Sequence, residues 1–244
     1  MSKKFKNKIC VYCTENMSST GDHVFAREFF LPDERDNLPK VPSCDRCNNE
    51  KSELEHYLTA ILPFGGRHTS ASENLSTMVP KRLKRNKKLH SNLAQNMSYA
   101  LSDELEGTNT KCMILPIEGE KFLELFALIT KGLVWHHWGT LLTKDFSVAT
   151  AALTKYGEDF FSNNFMLLNS AKRVENKIGS NVFSYSGLQG VDVPQISVWQ
   201  FTTYSGIKFT ESNENHSESS TIVGAVSGPN KLVARYKEMF NAAT

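Results

Sequence analysis

No stretch of this sequence is apolar over the ~20 residues that a membrane-spanning helix needs. The nearest approach, residues 122–142, is interrupted by Glu124, Lys131 and two histidines, so no membrane contact is expected. The basic start, MSKKFKNKIC, is not followed by an apolar segment. A secretory signal is therefore not expected, and the cytoplasm is the expected compartment. Charge of one sign is also lacking: 28 Lys and Arg stand against 26 Asp and Glu, a net of +2. Wholesale disorder is excluded, because 40% of the residues are apolar and 15 Phe and three Trp can build a core. Cysteine is scarce, with five in 244 residues. In a reducing compartment these are read as metal ligands or catalytic groups before disulfides.

What is present is unevenly placed. Residues 61–100 carry seven Lys and Arg against one acid, whereas residues 1–60 are net −1 and residues 101–244 net −3. Six of the positive charges fall within KRLKRNKK, residues 81–88. Such a run without acids favours a polyanion partner over an ordinary solvated face. Lys81, Arg82, Lys84, Arg85, Lys87 and Lys88 are thus candidate nucleic-acid contacts.

Four of the five cysteines form two identical spacings, Cys10-x2-Cys13 and Cys44-x2-Cys47, with 30 residues between the pairs. Each C-x2-C places two thiolates on one tight turn, and two such turns complete a tetrahedral shell for zinc. A four-cysteine shell leaves no open position, so this zinc is expected to be structural. It would staple about 40 residues that have too little core to fold alone.

A helix is expected just after Cys47, capped by Asn48 or Asn49 and ended by Pro63 and Gly65-Gly66. Residues 64–80 read as a loop, 111–117 as a strand, and 119–142 and 145–156 as helices. Residues 182–209 and 221–227 read as antiparallel strands flanking a polar loop at 211–220, with a last helix from about Pro229. The expected class is α+β. A zinc-stapled module at 1–63 precedes a loop and basic segment at 64–100 and a larger mixed domain with antiparallel strands at 101–244.

Within the cysteine loop lies Asp22-His23-Val24, then Asn37, and after the last cysteine Asn48-Asn49-x-Lys51-Ser52. In this order the residues from Cys10 to Ser52 resemble the HNH, or ββα-metal, endonucleases in their four-cysteine zinc variety. The resemblance covers about a quarter of the chain. It implies hydrolysis of a nucleic-acid phosphodiester, DNA before RNA, with 3′-hydroxyl and 5′-phosphate products. It makes His23 the general base, a role that suits a group titrating near neutrality. It makes Asp22 and Asn48 the ligands of a catalytic Mg²⁺ or Mn²⁺, an ion that leaves most of its shell to water and phosphate. Asn37 resembles the mid-loop Asn that orients the histidine. Lys51, one turn beyond Asn48, is expected to reach a phosphate.

The rival reading is a non-catalytic zinc module that binds nucleic acid or protein; it would need the four cysteines but not Asp22, His23 or Asn48. The role of residues 101–244 is open between targeting, regulation and partner binding, as in a nuclease of phage defence or restriction. His136 and His137, adjacent on a helix, point about 100° apart and are read as packing near the helix end. Cys112 is read as a buried small hydrophobe.

Overall fold

The computed structural model describes residues 3–105, 108–167, 169–209 and 219–242. Among these the chain is mixed α+β, with seven α-helices and three antiparallel sheets. Two short strands, β1 (Thr20–His23) and β2 (Lys40–Ser43), pair with Asp22 opposite Val41 and His23 opposite Lys40. Helix α1 (Asp45–Ile61) follows at once. It starts at Asp45 and not after Cys47 as expected. Cys44 holds the N-cap position in extended conformation, and its carbonyl accepts from the Asn48 amide at 3.0 Å. The second cysteine pair is therefore the first turn of the helix. Capping rules miss this start because a thiol is not a capping side chain.

Residues 64–80, expected as a loop, hold α2 (Thr69–Thr77), and the basic run spans α3 (Val79–Arg85) and α4 (Lys87–Asn96). The imidazole of His68 caps α2 by accepting from the Ser70 amide at 3.1 Å, an unusual N-cap. A hairpin of β3 (Ser98–Leu105) and β4 (Thr108–Ile114) follows. Helix α5 (Gly119–Trp138) ends at Gly139, whose left-handed φ of 67° closes the helix as glycine readily does.

Residues 145–156, expected as a helix, form instead β5 (Phe146–Thr154), and α6 (Lys155–Asn164) begins after it. The segment is small and alanine-rich, which sequence rules score as helical. It is a strand because β9 pairs along its length, Ala151 against Gly224 and Thr150 against Ala225. Strands β6 (Lys172–Ile178), β7 (Phe183–Gln189), β8 (Ser197–Thr203) and β9 (Ser219–Pro229) complete a sheet of order β5-β9-β8-β7-β6, antiparallel as expected. Helix α7 (Asn230–Ala242) closes the described chain. The side chain of Cys112 and most of the polar segment at 211–220 lie outside the described residues. No helix among those described is long and apolar enough to cross a membrane.

The sheet is covered on both faces, and strand alternation sorts its side chains. Trp199, Phe201, Val223 and Ala225 join the larger core under α5, where Phe126 meets Phe201 edge-on at 5.3 Å. Ala151, Leu153, Val198 and Val226 face Phe161 and Phe165 of the α6 region, and Tyr236 of α7 packs on Phe165. His137 ends α5 packed as expected: Asn176 donates to the Tyr185 hydroxyl at 3.3 Å, and that hydroxyl reaches His137 Nε2 at 2.9 Å.

The larger core does not stop at the expected boundaries near residues 63 and 100. It runs from Cys10 to Ala225 as one cluster. Phe25, two residues beyond the His23 end of β1, lies 4.9 Å from Phe183 and 5.8 Å from Tyr185. Tyr204 donates its hydroxyl to the Phe29 carbonyl at 2.6 Å. Gly132 lets α5 approach the same strand end, since a Cβ there would stand 2.9 Å from Val24. Each buried Phe is worth roughly 1.5–3 kcal/mol relative to exposure, so this junction is a substantial share of a marginal total.

Candidate functional site

The four cysteines converge. Their sulfurs lie within 4.8 Å of one another, with Cys13 and Cys44 at 3.9 Å. A zinc–sulfur bond of about 2.3 Å in tetrahedral geometry requires sulfurs about 3.8 Å apart. The group can therefore hold one metal ion such as zinc. The first turn is shaped by Thr14 in left-handed conformation, φ 56°, and by the Cys10 amide donating to the Asn16 carbonyl at 2.9 Å. Val11 ties this turn to β2 by donating to the Pro42 carbonyl at 3.0 Å.

Burial pushes the Cys10 thiol up, and it pushes Cys47 up further with help from the neighbouring cysteines. Against its own burial, Cys13 is held down at about 7 by the backbone N–H groups of Asn16 and Glu15. Four thiolates in one buried shell would need cationic compensation, which a bound divalent ion would supply together with Arg46 and Lys131 nearby. Lys131 arrives from α5 and donates to the Tyr12 carbonyl, between the first two cysteines, at 3.0 Å. Residue order gave one signal for it: a lone lysine in an otherwise apolar helical stripe.

Asp22 and His23 end β1 beside this centre. Asp22 is nearly buried, its side chain 12% exposed. Its Oδ2 accepts the Tyr12 hydroxyl at 2.6 Å and pairs with the Lys51 ammonium at 3.0 Å. Lys51 is 0% exposed, which corrects the expectation that it reaches a phosphate. Its ammonium also donates to the His23 carbonyl at 2.8 Å and pairs with Glu55, one turn along α1. Burial raises the Glu55 carboxyl to about 7 despite that lysine. Burial and the Asp22 carboxylate together push the Tyr12 phenol well up. Tyr12 and Glu55 were not singled out by sequence reasoning, although Glu55 stands in i,i+4 relation to Lys51.

The His23 imidazole is half-buried and makes no side-chain hydrogen bond among the described residues. Burial, then Lys40, lower it to about 4, with Asp22 opposing. It is therefore neutral at physiological pH, and a weaker base than the near-neutral imidazole expected from the sequence. Asn48, partly exposed, lies one turn ahead of Lys51 on α1, and i,i+3 residues share a helix flank. Asn37 does not join the group. It is exposed, holds a left-handed turn at φ 56°, and makes no side-chain hydrogen bond among the described residues. Its observed role is to turn the chain, for which asparagine is suited.

Of the basic run, Lys81, Lys84, Arg85, Lys87 and Lys88 are exposed. Arg82 is not free as expected. Its guanidinium donates to the carbonyls of Thr59 and Glu28, both at 2.7 Å, and so fastens α3 to α1. Leu83 turns inward to a groove of about 540 Å³ shared with Phe64, Leu75 and Val79. The Thr59 anchor lies eleven residues beyond Asn48, about 16 Å along α1 at 1.5 Å per residue. No family model, curated protein or solved structure matches this chain.

Proposed function

We propose that this protein is a metal-dependent endonuclease that hydrolyses phosphodiester bonds, in DNA before RNA, with His23 as general base. The observation that carries the reading is the β1-β2-α1 unit. It presents Asp22 and His23 at one strand end, with Asn48 on the helix whose first turn carries Cys47 of the four-cysteine centre. That unit has the order of elements and residues expected of an HNH module.

In this reading a neutral imidazole takes the proton of a water that attacks the phosphorus. The bond to the 3′ oxygen breaks, and the leaving oxygen takes a proton from solvent. Asp22 retains one carboxylate oxygen, Oδ1, free of the described contacts, and with Asn48 it would hold the Mg²⁺ or Mn²⁺. When bound, that cation stabilises negative charge on the phosphorane. The four-cysteine centre, through Cys47, fixes Asn48 one residue away. Supercoiled plasmid incubated with Mg²⁺ or Mn²⁺ tests the reading: it should be nicked or linearised, and EDTA should stop the reaction. Intact plasmid at micromolar protein in both metals would refute it.

The exposed lysines and arginine of α3 and α4 are assigned to the DNA backbone. Arg82 anchors the run to α1 about 16 Å along the helix from Asn48, so the run is assigned to DNA flanking the cut, gripping the backbone without reading bases. Replacing Lys84, Arg85, Lys87 and Lys88 together by Ala should weaken binding of all sequences alike. It should flatten the slope of log K against log salt by about two to four units, each phosphate contact contributing about 0.9. Unchanged affinity and slope in fluorescence anisotropy, with a lowered Tm, would show instead that the run serves folding.

The rival, a non-catalytic zinc module, gains support from the described geometry only at the cysteines. It gives no reason for a nearly buried Asp22 beside a half-buried, unengaged histidine.

A further inference from the structure

The most costly polar group in this region is one that no step above uses. Lys51 is a fully buried cation, and a buried charge is retained only when its hydrogen bonds are satisfied. An ammonium has three donors. Here all three acceptors are present: Asp22 Oδ2 at 3.0 Å, the His23 carbonyl at 2.8 Å, and Glu55. Two of the three belong to the adjacent pair Asp22-His23. Glu55 makes no hydrogen bond to either among the described residues and serves as the counter-charge that keeps the ammonium in place. Tyr12 closes on the same Asp22 oxygen from the cysteine turn.

Buried ion pairs are often no more stabilising than apolar residues of the same size, so stability alone is a weak reason for this cluster. Geometry supplies a stronger one. Consecutive residues of a strand direct their side chains to opposite sides. One lysine that grips the side chain of Asp22 and the backbone of His23 fixes both sides of the strand end at once.

We propose that Lys51, backed by Glu55, is a positioning residue of the site: it clamps the Asp22 carboxylate and the His23 backbone, and leaves Oδ1 of Asp22 as the oxygen presented to a divalent cation. The proposal rests on the endonuclease reading above.

Lys51→Met alone leaves Glu55 buried without a partner, which destabilises for reasons unrelated to the site. The informative variant is Lys51→Met/Glu55→Leu, in which both charges are replaced by apolar groups of similar size. It should keep its zinc content; its Tm falls, because Asp22 then keeps only the Tyr12 hydroxyl as partner, so its kinetics are read well below that Tm. Its kcat for plasmid nicking at saturating Mn²⁺ should fall by about 10²-fold, as small misplacements of reacting groups cost. Its half-saturating Mn²⁺ concentration should rise, because Asp22 is no longer held with Oδ1 presented; loss of the ammonium's charge alone would lower it. A purely structural lysine would leave kcat unchanged and, through its lost charge alone, would lower the half-saturating Mn²⁺.

A folded double variant that nicks plasmid within about threefold of the parent, with the same or a lower half-saturating Mn²⁺, overturns the proposal and leaves the endonuclease reading standing. A parent protein inert in Mn²⁺ removes that reading and this proposal with it. Should the double variant fail to fold, Glu55→Gln serves in its place. It keeps an acceptor for Lys51 and removes only the charge that pins it; a kcat loss of about tenfold supports the clamp, and an unchanged kcat and Mn²⁺ dependence reject it.

Discussion

Under the endonuclease proposal, replacing His23 by Ala should reduce plasmid cleavage by about 10²–10⁴-fold, the usual loss when a general base is removed. The fold should survive, because the imidazole makes no side-chain hydrogen bond among the described residues and what Lys51 grips at this position is the backbone carbonyl, which alanine retains. Zinc content and Tm should therefore match the parent while the rate collapses. Asp22 is a poorer first target. Truncating it to Ala leaves the buried Lys51 and the Tyr12 hydroxyl without a partner, so lost activity and lost stability would arrive together. Asp22→Asn, which keeps an acceptor of the same shape, is the better companion. Purified His23→Ala that cuts as fast as the parent would end the assignment of this histidine.

Cys44→Ser produces the largest loss of stability. Cys44 is a candidate metal ligand, it is 5% exposed, and it occupies the N-cap position of α1. Its removal takes one of four thiolates from the shell and weakens the link between the metal and the helix that carries Asn48 and Lys51. Loss of a structural metal belongs to the small class of changes above about 4 kcal/mol. For a chain of this length each kcal/mol lowers Tm by about 2–4 °C, so a fall of more than about 10 °C, or insoluble protein, is expected. Elemental analysis should give one zinc per parent chain and less than about a tenth in the variant. Well-folded parent protein with no bound metal would remove the staple from the account.

The parts of this fold that were legible in the sequence are those governed by local spacing. Two C-x2-C turns announce themselves because a tetrahedral ion imposes their geometry, and the four sulfurs do meet. The α5 stripe of Phe122, Phe126, Ile129 and Leu133 was readable because one helix face must be buried, and its four residues are. What failed depended on distant partners. Residues 146–154 are a strand only because β9, some seventy residues later, pairs with them. Lys51 looked like a free cation because nothing local reveals that Asp22, 29 residues earlier, and the His23 carbonyl close around it. Arg82 was read as part of a uniform basic run, yet its guanidinium is spent on two backbone carbonyls. In each case long-range pairing decided the role, and composition could not see it.

The position of β9 in its sheet has a consequence for the chain during its own synthesis. β9 separates β5 from β8, yet it is the last of the five strands to leave the ribosome. Until residue 229 has emerged, β5 has no hydrogen-bonded neighbour, and α5 has no finished sheet to pack on. The aromatic wall formed by Phe183 and Tyr185, against which Phe25 rests, also emerges about 160 residues after Phe25 itself. Contacts between residues this far apart in sequence form late. A nascent chain therefore has Lys51, Tyr12 and β2 beside Asp22 and His23 early, and gains the outer packing behind them only when the far sheet forms.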